Sequence, residues 1–131
     1  MFVNLDTGGG AVPTNILLVD DSSVVRRALR AVIESQTNWR VVGEAENGLE
    51  GIEKFRELTP DAVILDLSMP VMNGLDAARR IREISHSVHI VLFTLHAYPY
   101  LMEDARKIGI DKVVLKGDAP RLLSALRSAL A

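Results

Sequence analysis

From Asn15 onward, short apolar runs rich in β-branched residues alternate with longer stretches in which apolar positions recur every three or four residues. The alternation repeats five times. Strands are predicted at 15–20, 39–44, 62–66, 89–94 and 112–115, and the near-continuous apolar runs of the third and fourth suit strands covered on both faces. Helices are predicted at 22–35, 48–58, 72–84, 99–108 and 119–130. In the first, Val25, Leu29, Val32 and Ile33 share one face; in the last, Leu122, Leu126 and Leu130 do the same. Asn47-Gly48, Asn73-Gly74 and Ile108-Gly109 mark joints, as do Pro60, Pro70 and Pro99. Strands alternating with helices predict an α/β domain, a flavodoxin-like (βα)5 three-layer sandwich around a parallel sheet of strand order 2-1-3-4-5.

Composition narrows the reading. A chain of 131 residues, 48% apolar and 24% charged, fits one globular domain with a real core. We expect that domain at 15–131, with residues 1–14 as a flexible tail marked by Gly8-Gly9-Gly10. The net charge of −2 and the absence of a basic block argue against direct nucleic-acid binding. Without cysteine there is no disulfide, thiolate metal site or thiol nucleophile, and a reducing cytoplasm suits the chain. The longest apolar runs, such as 90–93, fall far short of the roughly 18 residues that signal a membrane span, and residues 1–14 lack the pattern of a signal peptide. No membrane partner is expected.

The candidate chemistry lies in where polar residues fall relative to the strands. Asp20 and Asp21 close the first strand and Asp66 the third. In an open parallel sheet ligands bind outside the carboxyl ends of the strands, and the first and third are neighbours in the expected order, so the three carboxylates converge. Such a trio repels itself unless a cation sits among it. Mg²⁺ is the natural occupant, because it takes oxygen ligands and is commonly held by a few carboxylates plus phosphate oxygens. Thr94 ends the fourth strand with a hydroxyl and Lys116 follows the fifth with an ammonium. A carboxylate nucleophile with metal, hydroxyl donor and lysine around it meets the needs of aspartyl-phosphate chemistry. Taken singly, Asp21 reads as a helix N-cap, Asp66 as a turn residue, Thr94 as a strand residue and Lys116 as a solvated end. Their joint placement at four strand ends is what favours a site.

The segments Leu17-Leu18-Val19-Asp20-Asp21-Ser22 and Ile64-Leu65-Asp66-Leu67-Ser68-Met69-Pro70, followed by Asn73-Gly74, Thr94 and Lys116, resemble the response-regulator receiver family in order and spacing. The likeness runs from about Asn15 to Leu130. It implies a signalling switch of two-component systems rather than a metabolic enzyme, one that catalyses its own phosphorylation and dephosphorylation. By that resemblance Asp66 is the phosphoacceptor, receiving a phosphoryl group from a phosphohistidine of a sensor histidine kinase or phosphotransfer protein. Asp21 and Asp66 ligate Mg²⁺ with the Ser68 carbonyl, Asp20 orients a metal-bound water, and Thr94 and Lys116 contact the phosphoryl oxygens. A homodimer or an output domain then reads the change.

The chain departs from the family pattern at three positions. Val113 stands three residues before Lys116, where many members carry an aromatic switch residue. Gly117 follows Lys116 where proline is common, so no cis peptide is expected there. Ser68 stands two residues beyond Asp66, where family members commonly carry a longer or more polar side chain. His96, Tyr98 and Tyr100 cluster after the fourth strand, as packing residues or as a partner-facing group. His86 and His89 straddle a loop and a strand start and read as packing or surface residues.

Other functional classes fit less well. A dinucleotide or flavin site wants a glycine-rich turn after the first strand, and Asp20-Asp21-Ser22-Ser23 stands there instead. An aspartyl phosphatase carries a second acid two residues after its nucleophile, the position of Ser68. A purely structural relative would not need all five polar positions.

Overall fold

The computed structural model describes residues 12–131. The tail expected at 1–14 therefore lies largely outside the described residues. Ten elements follow in strict alternation: β1 (Thr14–Val19), α1 (Ser23–Glu34), β2 (Trp39–Ala45), α2 (Gly48–Leu58), β3 (Ala62–Leu65), α3 (Gly74–Ile84), β4 (His89–Thr94), α4 (Leu101–Ile108), β5 (Lys112–Leu115) and α5 (Ala119–Leu130). The five strands are parallel, in the order β2-β1-β3-β4-β5.

The two-residue period of the strands sorts the core into two layers. Leu17, Val19, Val63, Leu65, Ile90 and Leu92 face α2, α3 and α4, meeting Phe55, Ile81 and Leu101 among others. Ile16, Leu18, Ile64, Val91, Phe93 and Val114 face the opposite way, onto Leu29 and Ile33 of α1 and Leu122 and Leu126 of α5. β3 throughout, β1 from Ile16 and β4 from Ile90 are buried on both faces, which accounts for the apolar runs there.

Element ends differ from expectation where local chemistry intervenes. β1 starts one residue early because Thr14 pairs with Trp39. α3 starts at Gly74 rather than 72, since Met72 N–H donates to the Pro70 carbonyl across Val71, which sits at φ +69° in a strained γ-turn. Asn73 then caps the helix through Asp76 N–H. α4 starts at Leu101 rather than 99, beyond Pro99, with no side-chain cap at Tyr100. β2 carries one extra residue against β1, between the pairs Ile16–Val41 and Leu17–Gly43, a bulge that sets which β2 side chains reach the carboxyl end of β1.

Candidate functional site

The sheet ladder runs one residue past β1 and β3 and places the acidic residues. Asp20 N–H donates to the Ala45 carbonyl at 3.0 Å, and Asp66 N–H to the Val19 carbonyl at 2.9 Å. Lys116 N–H donates to the Thr94 carbonyl at 2.7 Å, tying the last two strand ends together. Asp20, Asp21 and Asp66 each offer a carboxylate oxygen within 4.8 Å of the others, the only such metal-ligating group of three or more among the described residues. Asp20 and Asp66 are buried and Asp21 is exposed. The N-cap of α1 falls to Ser22, whose Oγ accepts from Val25 N–H, so Asp21 is not consumed as a cap.

Lys116 reaches into the carboxylates, with Nζ 2.8 Å from Asp20 Oδ2 and 3.4 Å from Asp66 Oδ1. Burial pushes the Asp66 carboxyl above its ordinary range and the Asp20 charge adds to this, while Lys116 pulls the other way. Burial alone would lower the Lys116 ammonium, but its hydrogen bond to Asp20 and the two carboxylate charges outweigh that and hold it above the usual lysine value. Two carboxylates sharing one lysine, with a third at their edge, leave a net negative cluster of hard oxygen donors. That donor set fits a small divalent cation.

Thr94 is buried, and its hydroxyl donates to the His96 carbonyl at 3.2 Å. Ser68 lies on the loop after β3, its N–H donating to Asp66 Oδ1 at 3.4 Å. That loop is pressed against the start of α3, where Gly74 N–H donates to the Leu67 carbonyl and a Cβ at Gly74 would overlap the Asp66 carbonyl oxygen. An open hollow beside the acidic cluster is lined by Asp21, Ser68, Met69, Asn73 and Tyr98. Tyr98 donates to Asp104 of α4 at 2.8 Å, and both Tyr98 and Tyr100 are exposed. Val113 is half-buried against the α4 side of the core. His86 and His89 stay away from the site; His89 Nδ1 lies 3.9 Å from Asp111 Oδ2. Gly117 takes φ +93°, a conformation that favours glycine.

Residue-by-residue reading of the sequence missed Arg26 and Glu44. Arg26 Nη1 donates to the Asp20 carbonyl at 2.6 Å and Nε to Glu44 Oε1 at 2.8 Å, while Arg30 donates twice to Glu44 Oε2. The four-residue spacing of the two arginines on α1 was the available signal. Their shared partner on β2 depends on the bulged register and was not readable.

Comparison with known proteins identifies the family. The family model described as "Response regulator receiver domain" matches residues 16–127. The nitrate/nitrite response regulator protein NarL of Escherichia coli K12 is 42% identical over 120 residues, covering 91% of this chain and 56% of NarL, so the chain spans little more than half of that relative. The chemotaxis protein CheY of Thermotoga maritima is 36% identical over 112 residues, covering 85% of this chain and 92% of CheY. Among solved structures, the response regulator domain of Thermotoga maritima CheB superposes with a TM-score of 0.84 at 30% identity, covering 92% of this chain and 97% of that one. The chain thus belongs to the response-regulator receiver domains, the phosphoryl-accepting signalling switches of two-component systems.

Proposed function

We propose that Asp66 is the phosphoacceptor of this receiver, with Asp20, Asp21 and the Ser68 carbonyl completing a Mg²⁺ site and Thr94 and Lys116 receiving the phosphoryl oxygens. The observation that carries this reading is the buried Asp20–Lys116–Asp66 arrangement beside Asp21. An Asp66 carboxylate oxygen attacks phosphorus as the P–N bond of a kinase or phosphotransfer-protein phosphohistidine breaks, giving an acyl phosphate and a free imidazole. Mg²⁺, when bound, supplies positive charge against the phosphoryl oxygens and the flanking carboxylates. Lys116 is already drawn towards Asp66 and contributes a compact charge on the other side. The Thr94 hydroxyl has one proton, so donating it to a phosphoryl oxygen means giving up the His96 carbonyl. Both formation and hydrolysis of the acyl phosphate are promoted by this same set.

The domain we assign to this role is 15–131, acting in the cytoplasm where the phosphodonor resides. A sensor kinase or phosphotransfer protein supplies the phosphoryl group, and an output domain or second copy reads the state. Beryllofluoride, which mimics a phosphoryl group on a carboxylate, tests the reading. We expect a fluorine NMR adduct that needs Mg²⁺, disappears with EDTA and is absent from Asp66→Asn. An adduct indifferent to EDTA, or retained in that variant, would overturn it.

A further inference from the structure

We infer that Arg26, held by Glu44, is a positioning residue for the metal site, fixing the Asp20–Asp21 peptide so that both carboxylates point into one cluster. The inference rests on the reading of Asp20, Asp21 and Asp66 as the Mg²⁺ site. Asp21 is exposed, and no hydrogen bond among the described residues holds its carboxylate. Its aim therefore depends on its backbone. The preceding peptide is pinned from two sides: Asp20 N–H by the Ala45 carbonyl of β2, and the Asp20 carbonyl by Arg26 Nη1 at 2.6 Å. Because the peptide unit is planar, fixing the Asp20 carbonyl fixes the N–H and the Cα direction of Asp21. Asp20 itself is further held by Ser22 N–H on Oδ1 and Lys116 on Oδ2.

Glu44 has two jobs in this arrangement. Its Oε1 accepts from Arg26 Nε at 2.8 Å, which turns the guanidinium so that Nη1 meets the carbonyl. Its charge also offsets a largely buried guanidinium, 16% exposed, that would otherwise stand next to a divalent-cation site and oppose its filling. Arg30 braces Glu44 from the far side with two hydrogen bonds and does not touch Asp20. Two arginine hydrogen bonds and two positive charges outweigh burial and keep the Glu44 carboxyl below its ordinary range. It is charged wherever the domain would work.

Calorimetric titration of the full chain with Mg²⁺ at fixed ionic strength is the test. Arg26→Lys keeps the charge but lacks the planar fork that reaches two acceptors, and Glu44→Gln keeps the shape without the charge. Each is expected to raise the Mg²⁺ Kd about tenfold, in the range seen when groups supporting metal ligands are removed. Arg30→Lys should change it far less, and acetyl-phosphate labelling in all three should return to the wild-type rate at saturating Mg²⁺. A merely structural ion pair would lower the unfolding midpoint and leave the Kd of folded protein alone. Wild-type-like Kd values in Arg26→Lys and Glu44→Gln, or a labelling deficit that saturating Mg²⁺ leaves in place, would overturn the inference. Should Arg26→Lys fail to fold, Glu44→Gln decides by the same criteria. A wild-type chain that binds no Mg²⁺, or an Asp21→Ala variant that binds it normally, would refute the metal site itself and this inference with it.

Discussion

Lys116 and the carboxylates it bridges set the electrostatics of the receiver at the scale of single residues. Asp66 has its carboxyl raised by burial and by Asp20. A carboxyl raised on folding favours the folded state below its unfolded value near 3.8, and that advantage is lost as pH climbs through the higher folded value. At neutral pH the ionised Asp66 is thus a net cost. Without metal, Asp66→Asn should raise the thermal midpoint by a few degrees at pH 7 and by much less near pH 3.5, as read from unfolding scans across that range. Lys116 has the opposite reach: its raised value means its contribution holds below about 10.5 and fades only above that, so it stays charged at neutral pH. Lys116→Ala should retain partial acetyl-phosphate labelling, because Asp66 and the acidic trio to which the proposed chemistry is assigned remain. It should lose most of the backbone amide shifts that beryllofluoride induces, and a wild-type pattern of shifts in that variant would contradict the role given to this side chain.

At the scale of elements, the close approach of α3 to the loop after β3 is the tightest constraint around the site. Gly74 lets the first turn of α3 lie against the Asp66 carbonyl, where a methyl group has no room. Gly74→Ala should cost about 2–4 kcal/mol in urea unfolding, since backbone rather than a flexible side chain must yield; a cost well under 1 kcal/mol would show that the helix can simply shift. The far end of α3 is tied as firmly, with Arg82 donating to the carbonyls of Ser85, Val88 and Gly109 and so joining the C-terminal ends of α3 and α4. The element pattern and its order were legible because periods of two and 3.6 alternate without ambiguity along the chain. The acidic trio and Lys116 were legible because they sit immediately after strands. What was not legible depends on register and turn chemistry: the γ-turn at Val71 that delays α3, the late start of α4 after Pro99, and the β2 bulge that sets Glu44 beside Arg26 and Arg30.

For the whole molecule, the question is how a change at Asp66 reaches a surface. Val113 is half-buried under α4 and, being small and β-branched, offers no ring to turn inward. The Thr94 hydroxyl is bonded to the His96 carbonyl, at the head of an exposed stretch that Tyr98 ties to α4 through Asp104. Losing the first bond frees the end of the loop nearest the site, while the Arg82 clamp keeps the other end of α4 in place. Beryllofluoride with Mg²⁺ should therefore change amide hydrogen exchange in residues 95–101 by about tenfold or more, the segment that carries the exposed side chains Leu95, Tyr98 and Tyr100. Protection changes confined to other segments would refute this route. The same segment carries the exposed Tyr98 and Tyr100, side chains of the kind that anchor protein contacts.

The most direct test of the central claim is intact-mass analysis after incubation with acetyl phosphate and Mg²⁺, followed by peptide mapping of the label. A single added phosphoryl group, located on Asp66, lost on addition of EDTA before the donor and absent from Asp66→Asn, is the result expected from the buried Asp20–Lys116–Asp66 arrangement. Undiminished labelling of Asp66→Asn, or a label mapped to any other residue of the wild-type chain, would contradict it.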